Sequence, residues 1–176
     1  MTMPHRIVGF PLPEIRLEPV STYQDPRGTF RRVFDAQSDI IGSQQISFSN
    51  NIHERTLRGV HSLSLKSDEW KIIECVSGSV FDVAVDLRPN SETYLKWMGV
   101  YLDANSNFSI LLPPGFGHGY LTLSANSSLI YRMSTPFNQE EENGVRWDDP
   151  LVNIEWPAHP NYISEKDLTW ELLRNE

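Results

Sequence analysis

Apolar residues in this chain recur in short runs and alternations, cut at close intervals by turn-forming residues. Ser79–Leu87 alternates most cleanly. Phe81, Val83 and Val85 fall on one face and Asp82, Ala84 and Asp86 on the other, as a strand's period of two requires. Arg88-Pro-Asn-Ser91 then ends it with turn chemistry. The same reading predicts strands over Thr29–Phe34, Gln44–Ser49, Leu57–Leu65, Trp70–Val76, Lys96–Leu102, Phe108–Leu112, Gly119–Leu123 and Leu129–Ser134. Between them lie Ser77-Gly78, Asn105-Ser106-Asn107, Pro113-Pro114-Gly115 and Ala125-Asn-Ser-Ser128, all turn formers. Turns every 8–12 residues or so are the mark of a sandwich or barrel. Helical periodicity is scarce until the tail. There Ser164 is placed to cap a short helix, with Asp167 near the capping-box position and Leu168, Trp170 and Leu172-Leu173 following. The fold expected is all-β: an antiparallel β-barrel or jelly roll with short peripheral helices. No repeat or Gly/Ser/Pro-rich linker divides it, so residues 1–176 are expected to form a single domain.

Composition narrows the partners. With 39% hydrophobic and 22% charged residues the chain is not a disordered one. A formal net charge of −8 argues against general binding to nucleic acid, whose affinity is mostly electrostatic. The charge is uneven: Arg27–Lys71 holds seven basic residues against five acidic ones, a local +2 that leaves −10 elsewhere. Such a segment is either ordinary scatter over a solvated surface, the commoner case, or a site for an anionic small molecule. Cys75 is the sole cysteine, which excludes an intrachain disulfide and a multi-cysteine zinc site. No apolar run approaches the roughly 18 residues of a membrane span. Met1–Arg6 carries no signal-type apolar stretch, and the location expected is cytoplasmic, with no membrane partner.

Five histidines, His5, His53, His61, His118 and His159, are the first places to look for chemistry. His61 follows Leu57-Arg-Gly-Val, where Gly59 permits unusual backbone or a close approach; inside a barrel it is a base, a ligand or a hydrogen-bonded core residue. His118 lies in Pro113-Pro-Gly-Phe-Gly-His-Gly, read as a tight loop before a strand. There is no His-x-His, and Leu63 stands two residues beyond His61, so a cupin-type metal site is not expected. Lys71 and Tyr131 each sit within a predicted strand, where a solvent-facing lysine and a core tyrosine are the commoner cases. Neither a Gly-rich phosphate loop, a G-x-S-x-G elbow nor a His-Glu-x-x-His helix is present. On these residues alone the function stays open.

Taken together, several blocks have a familiar order. Asp25-Pro-Arg27-Gly-Thr-Phe30, Leu57-Arg-Gly-Val-His61 and Gly78–Arg88 are followed by Leu112–Gly119, Ile130-Tyr131-Arg132, Val145–Pro150 and Ile154–Pro157. This series resembles the dTDP-4-dehydrorhamnose 3,5-epimerase family from about Asp25 to Asp167. The resemblance implies a cupin-type jelly roll, a homodimer, no cofactor or metal, and a nucleoside-diphosphate sugar as substrate. It also implies roles. His61 matches a catalytic base and Asp167 its carboxylate partner. Lys71 matches a lysine facing the C4 oxygen of a 4-keto sugar, and Tyr131 a proton donor on the opposite face. Arg27 and Arg58 match arginines that contact the diphosphate; Phe30, His118 and Asp82 match supporting substrate-binding positions. The implied reaction is epimerisation at C3, C5 or both by proton abstraction next to the carbonyl.

The chain also departs from the family pattern. Leu63 replaces a glutamine two residues after the histidine, and Ile46-Ser47-Phe48 replaces a Gln-x-Asn run that helps hold the nucleotide. Arg32 stands where a glutamate is expected, Trp70 where glycine precedes the lysine, and Pro136-Phe137 where paired tyrosines follow Tyr131. Chemical residues are kept while binding residues change. The expectation is an epimerase for a different nucleotide sugar, a base other than thymine included; the alternative is a non-catalytic nucleotide-sugar-binding barrel.

Overall fold

The computed structural model describes residues 7–174. Met1–Arg6, including His5 and the stretch inspected for a signal, and the last two residues lie outside the described residues. Thirteen strands are described: β1 Ile7–Gly9, β2 Arg16–Pro19, β3 Thr22–Asp25, β4 Gly28–Arg31, β5 Gln45–Asn51, β6 Leu57–Leu63, β7 Lys71–Ser77, β8 Ser79–Asp86, β9 Trp97–Asp103, β10 Phe108–Leu112, β11 Phe116–Thr122, β12 Ser127–Met133 and β13 Glu142–Gly144. A 3-10 turn at Gln139–Glu141 and a short helix, α1 Glu165–Thr169, complete the elements. None of the described helices is long and apolar enough to cross a membrane.

The strands form two facing antiparallel sheets and a hairpin. The larger sheet runs β1-β9-β8-β11-β6-β13, the smaller β2-β10-β7-β12-β5, and β3 pairs only with β4. This is the expected all-β sandwich of jelly-roll type. Strands long enough to show a period were all anticipated; β1, β2, β3 and β13 were not. Those four are three or four residues long, too short for alternation to register. The expected loop before His118 is shorter than its glycines suggested. It ends at Gly115, and Phe116-Gly-His-Gly already runs as β11 between β8 and β6. Gly117 and Gly119 are inside the strand because neighbours press there: a Cβ on Gly117 would stand 2.7 Å from Val60 Cγ1.

Both faces of β8 are buried, each by a different core. Val80 and Ala84 join Ile73, Met98, Ile110 and Leu129 between the sheets. Phe81, Val83 and Val85 face outward and pack with Val60, Trp97, Val145 and Val152 beneath the C-terminal coil. Hydrogen bonds from Trp97 Nε1 to the Asn153 carbonyl (3.1 Å) and from the Leu173 amide to Asp149 (2.7 Å) pin that coil down. Without it the larger sheet would expose an aromatic and β-branched face to water.

At the end of β8, Asp86 is fully buried and organises the turn that follows. Its carboxylate accepts from Arg88 Nε (2.8 Å), Thr93 Oγ1 (2.6 Å) and Ser91 Oγ (2.5 Å). Burial alone would push this carboxyl up, but those donors outweigh it and hold it at about 2. An unfolded aspartate titrates near 3.9. The depressed carboxyl therefore contributes stability that is present above about pH 4 and is lost as pH falls towards about 2. Asp86→Asn is expected to lower the melting temperature at neutral pH, with the gap to the parent closing between about pH 4 and pH 2. Thermal melts across that range check this; a gap of constant size would contradict it.

Candidate active site

One irregularity in the larger sheet sets the site. Along β11, His118 opposes His61 and Tyr120 opposes Arg58, so a step of two residues on β11 meets a step of three on β6. That is a β-bulge. In a regular strand Arg58 and His61 would point to opposite faces; the extra residue brings both to the same cavity. Gly59 supplies the residue, with φ +119° and a cis peptide to Val60. A Cβ there would lie 2.5 Å from Gly119 Cα and 2.7 Å from the His118 carbonyl oxygen, so two backbones meet where no side chain fits.

The cavity opens between the two sheets and has a volume of about 320 Å³. From the larger sheet come Arg58, His61, Leu63, His118 and Tyr120; from the smaller come Ser47, Ser49, Lys71, Tyr131 and Met133. His61 Nε2 lies 2.5 Å from Asp167 Oδ1. Asp167 is 2% exposed, and its other oxygen accepts from the Gly59 amide at 3.3 Å. Its own amide donates to Ser164 Oγ at 3.1 Å, the cap expected from the sequence. The capping box is thus half made, because the Asp167 carboxylate turns into the site. Burial works against that charge, but the His61 hydrogen bond and charge, the Gly59 amide and Ser164 together hold the carboxyl below the usual range.

A second imidazole–carboxylate pair stands beside the first. His118 Nε2 is 2.9 Å from Asp82 Oδ2, both are buried, and Asp82 Oδ1 has no hydrogen-bond partner. Across the cavity, Lys71 Nζ contacts Glu69 Oε2 at 2.8 Å, with only 19% and 8% of the two side chains exposed. The expectation of a solvent-facing lysine does not hold for Lys71. Tyr131 stands edge-on to His118 with ring centres 5.9 Å apart. Burial, then the neighbouring Tyr120, push its phenol well above the ordinary value. Among the described residues no group of three or more His, Cys, Asp or Glu converges as a metal-ligand set.

A sequence model described as dTDP-4-dehydrorhamnose 3,5-epimerase matches residues 10–175. The chain belongs to that family. It is 32% identical over 168 residues to a dTDP-4-dehydrorhamnose 3,5-epimerase of Shigella flexneri, covering 92% of each chain. Its fold matches the crystal structure of the Bacillus anthracis 3,5-epimerase, solved with TDP and PPi bound, at a TM-score of 0.85 and 27% identity, covering 96% of this chain and 100% of that one. A 3'-monoepimerase from Streptomyces bikiniensis, in complex with dTDP-quinovose, matches at 0.83 and 27% identity over 92% and 86%. The family is one of isomerases, and its matches here include enzymes of both the 3,5- and the 3-epimerase type.

Of the family positions picked out in the sequence, His61, Lys71, Tyr131, Arg58 and His118 line the one cavity, with Asp167 and Asp82 directly behind the two histidines. Arg27 and Phe30 do not reach it. They lie on the β3–β4 hairpin, where Arg27 pairs with Asp25 at 2.6 Å and is 90% exposed along its side chain, and Phe30 is 65% exposed. Among the departures from the family pattern, Leu63, Ser47, Phe48 and Phe137 line the cavity, while Trp70 does not and Arg32 pairs with Asp35 outside it. Sequence reading passed over Glu69 and Tyr120. Each lies two residues from a residue already singled out, on the same strand face or just before it, and that spacing was the available signal.

Gly59 and Gly42 test the bulge. Both have positive φ, but nothing lies within 4 Å of a Cβ on Gly42. Gly42→Ala is expected to cost about 1 kcal/mol from backbone strain alone, and Gly59→Ala at least about 3 kcal/mol. At about 3 °C per kcal/mol, melting temperatures should fall by about 3 °C and about 9 °C or more. Equal shifts for the two would show that the close approach of β6 and β11 does not matter.

Proposed function

We infer that this chain epimerises a nucleoside-diphosphate-linked 4-keto sugar at C3, C5 or both, as one catalytic domain. One observation carries the reading: His61 and Tyr131 stand on opposite sheets, with the cavity between them and Lys71 beside Tyr131's sheet partners. A ring bound in that cavity meets a base on one face and a hydroxyl donor on the other. Inverting a carbon requires removal of a proton from one face and delivery to the opposite one.

The C–H next to a ketone is a weak acid and needs three kinds of help. His61 takes the proton; Asp167, hydrogen-bonded to it and kept ionised by its surroundings, fixes the ring and stabilises the imidazolium. Lys71 faces the C4 oxygen, where enolate charge develops, and Glu69 holds its ammonium group in the cavity wall. Tyr131 gives a proton to the opposite face. His118, set by Asp82, supports the bound sugar. Arg58, steadied by Asn51 at 2.9 Å, meets the diphosphate, for which a guanidinium fork is suited. The nucleotide wall carries Phe48, Leu63 and Phe137 in place of the family's polar groups, which supports a base or sugar other than the common one.

Arg27 and Phe30 fit this reading as parts of a homodimer. Their hairpin stands away from its own cavity, and Ile46 and Phe48 on edge strand β5 are 51% and 63% exposed. A second copy covers that edge and receives the hairpin, so that each diphosphate is met by Arg58 of one chain and Arg27 of the other. Light scattering is expected to give twice the monomer mass. Mixing inactive His61→Asn and Arg27→Ala chains is expected to restore about a quarter of the sites, because half the dimers are mixed and each has one intact cavity. A monomer, or no recovery on mixing, contradicts the shared site.

The reaction itself is read from deuterium. Incubation of a dTDP-linked 4-keto-6-deoxy hexose in heavy water is expected to place deuterium at C3, C5 or both. His61→Asn is expected to slow this at least 100-fold, in keeping with the weight of a general base. A panel of other nucleoside-diphosphate 4-keto sugars extends the test. Tight binding with no exchange in any of them would make the chain a binding protein instead.

A further inference from the structure

One buried hydroxyl in the cavity wall has no part in the reaction as described so far. Tyr120 follows His118 by two residues on β11, is 1% exposed, and lines the same cavity as His61 and Tyr131. A core tyrosine needs one partner for its hydroxyl. This one has several. Its oxygen lies 2.8 Å from Ser49 Oγ, and it donates to Asn51 Oδ1 at 3.2 Å, the oxygen that also accepts from Arg58. Its ring centre is 6.3 Å from that of His118, whose ring in turn stands edge-on to Tyr131. Tyr131 pairs with Ser47, which shares a face of β5 with Ser49 two residues on, so the Tyr120 hydroxyl at Ser49 stands on the Tyr131 side of the same cavity.

Tyr131 faces a difficulty that this neighbour answers. Burial, Tyr120 and the Asp82 charge all hold its proton more tightly than in a free phenol, and only Arg58 pulls the other way. A proton held that tightly is given up slowly unless the oxygen left behind is met by a donor as its charge forms. A hydroxyl has one proton and two lone pairs. Tyr120 can therefore turn its O–H from Asn51 to Tyr131 while accepting from Ser49, which borders the open cavity.

We propose that Tyr120 is a positioning residue for proton delivery: its hydroxyl meets the Tyr131 oxygen as that oxygen releases its proton, and replaces the proton through Ser49. The inference rests on the epimerase reading above. The balance is complete. The Tyr131 O–H breaks as a C–H forms on the sugar, the Tyr120 proton passes to Tyr131, the Ser49 proton passes to Tyr120, and water in the cavity restores Ser49. The proton taken by His61 on the other face returns to solvent.

Two rates measured together in heavy water separate this role from a packing one. Inversion requires delivery by Tyr131, whereas wash-in with retained configuration requires only removal and return by His61. With a dTDP-linked 4-keto-6-deoxy hexose, Tyr120→Phe is expected to slow inversion at least about tenfold and leave retained-configuration wash-in within about threefold. Tyr131→Phe is expected to move the ratio of the two in the same direction. Ser49→Ala, which leaves both tyrosines in place, provides a second test with a smaller shift of the same sign. If Tyr120→Phe and Ser49→Ala leave the ratio at the parent value, whether both rates fall together or neither falls, the proposal is overturned while the epimerase reading stands. If the parent itself exchanges no hydrogen, the epimerase reading fails first.

Discussion

The close approach of β6 and β11 at Gly59 is the constraint on which the site depends. At that point the two backbones leave no room for a Cβ, and the extra residue in β6 turns Arg58 and His61 to one side. The consequences run outward in both directions. Toward the cavity, a guanidinium and an imidazole share one wall. Toward the exterior, the Gly59 amide is free to donate to Asp167 and so to hold the carboxylate that orients His61. The Asp167 carboxylate ties the short helix α1 to the sheet through two bonds, and Lys166 adds an ion pair to Glu142 on β13. Bulge, His61 and C-terminal helix are therefore tied together through the Asp167 carboxylate.

An acidic chain that buries so many carboxylates must satisfy each of them. Glu69, Glu74, Asp82, Asp86, Asp149 and Asp167 are all 9% exposed or less. Glu69 meets Lys71, Glu74 meets Arg31 at 2.6 Å, Asp86 meets Arg88, and Asp82 and Asp167 each meet a histidine. Asp149 is satisfied by backbone amides instead. Buried charge that lacks a partner costs several kcal/mol, so such pairs are the condition for keeping ionised groups inside a sandwich at all. They divide by place. Asp86, Glu74 and Asp149 hold turns and coil outside the cavity; Glu69, Asp82 and Asp167 stand behind Lys71, His118 and His61 in its wall. The positive excess over Arg27–Lys71 sorts in the same way. Arg58 and Lys71 enter the cavity, Arg31 is absorbed by Glu74, and Arg27 and Arg32 remain on the surface of the chain.

Much of this was legible in the sequence because long strands report themselves. Ser79–Leu87 alternates, and β8 follows it to within a residue; Ser164 looked like a cap and is one. The short strands were not legible, since three or four residues such as Glu142–Gly144 hold no period and are fixed only by a neighbour, here β6. The glycines around His118 misled for a related reason. Turn composition and tight strand packing both select glycine, and only the position of Val60 and Gly59 tells them apart. His61, Lys71 and Tyr131 were placed by resemblance to a family, which ordered blocks make specific. Tyr120 and Glu69 escaped because a tyrosine in a strand and a glutamate before one look ordinary until the opposite sheet is in view.

The distribution of kept and altered residues follows from which elements hold them. His61, His118, Lys71 and Tyr131 come from β6, β11, β7 and β12, strands paired on both sides, whose register is set along the whole ladder. A shift of one residue in any of them would reverse every side chain on it, including the core. Ser47 and Phe48 come from edge strand β5, and Phe137 from the segment that precedes the 3-10 turn. An edge strand is paired on one side only and a connecting segment on neither, so a changed side chain there alters the cavity without moving the ladder. Leu63 is the instructive exception, since it lies on a paired strand, but at its last residue and opposite the short β13. On the proposed reading chemistry sits on interior strands and recognition on the margins, so side chains of the second kind can change without disturbing the first. A chain that keeps its imidazole, lysine and phenol while Leu63 replaces a glutamine and Ile46 and Phe48 replace the polar ends of a Gln-x-Asn run is what that division produces.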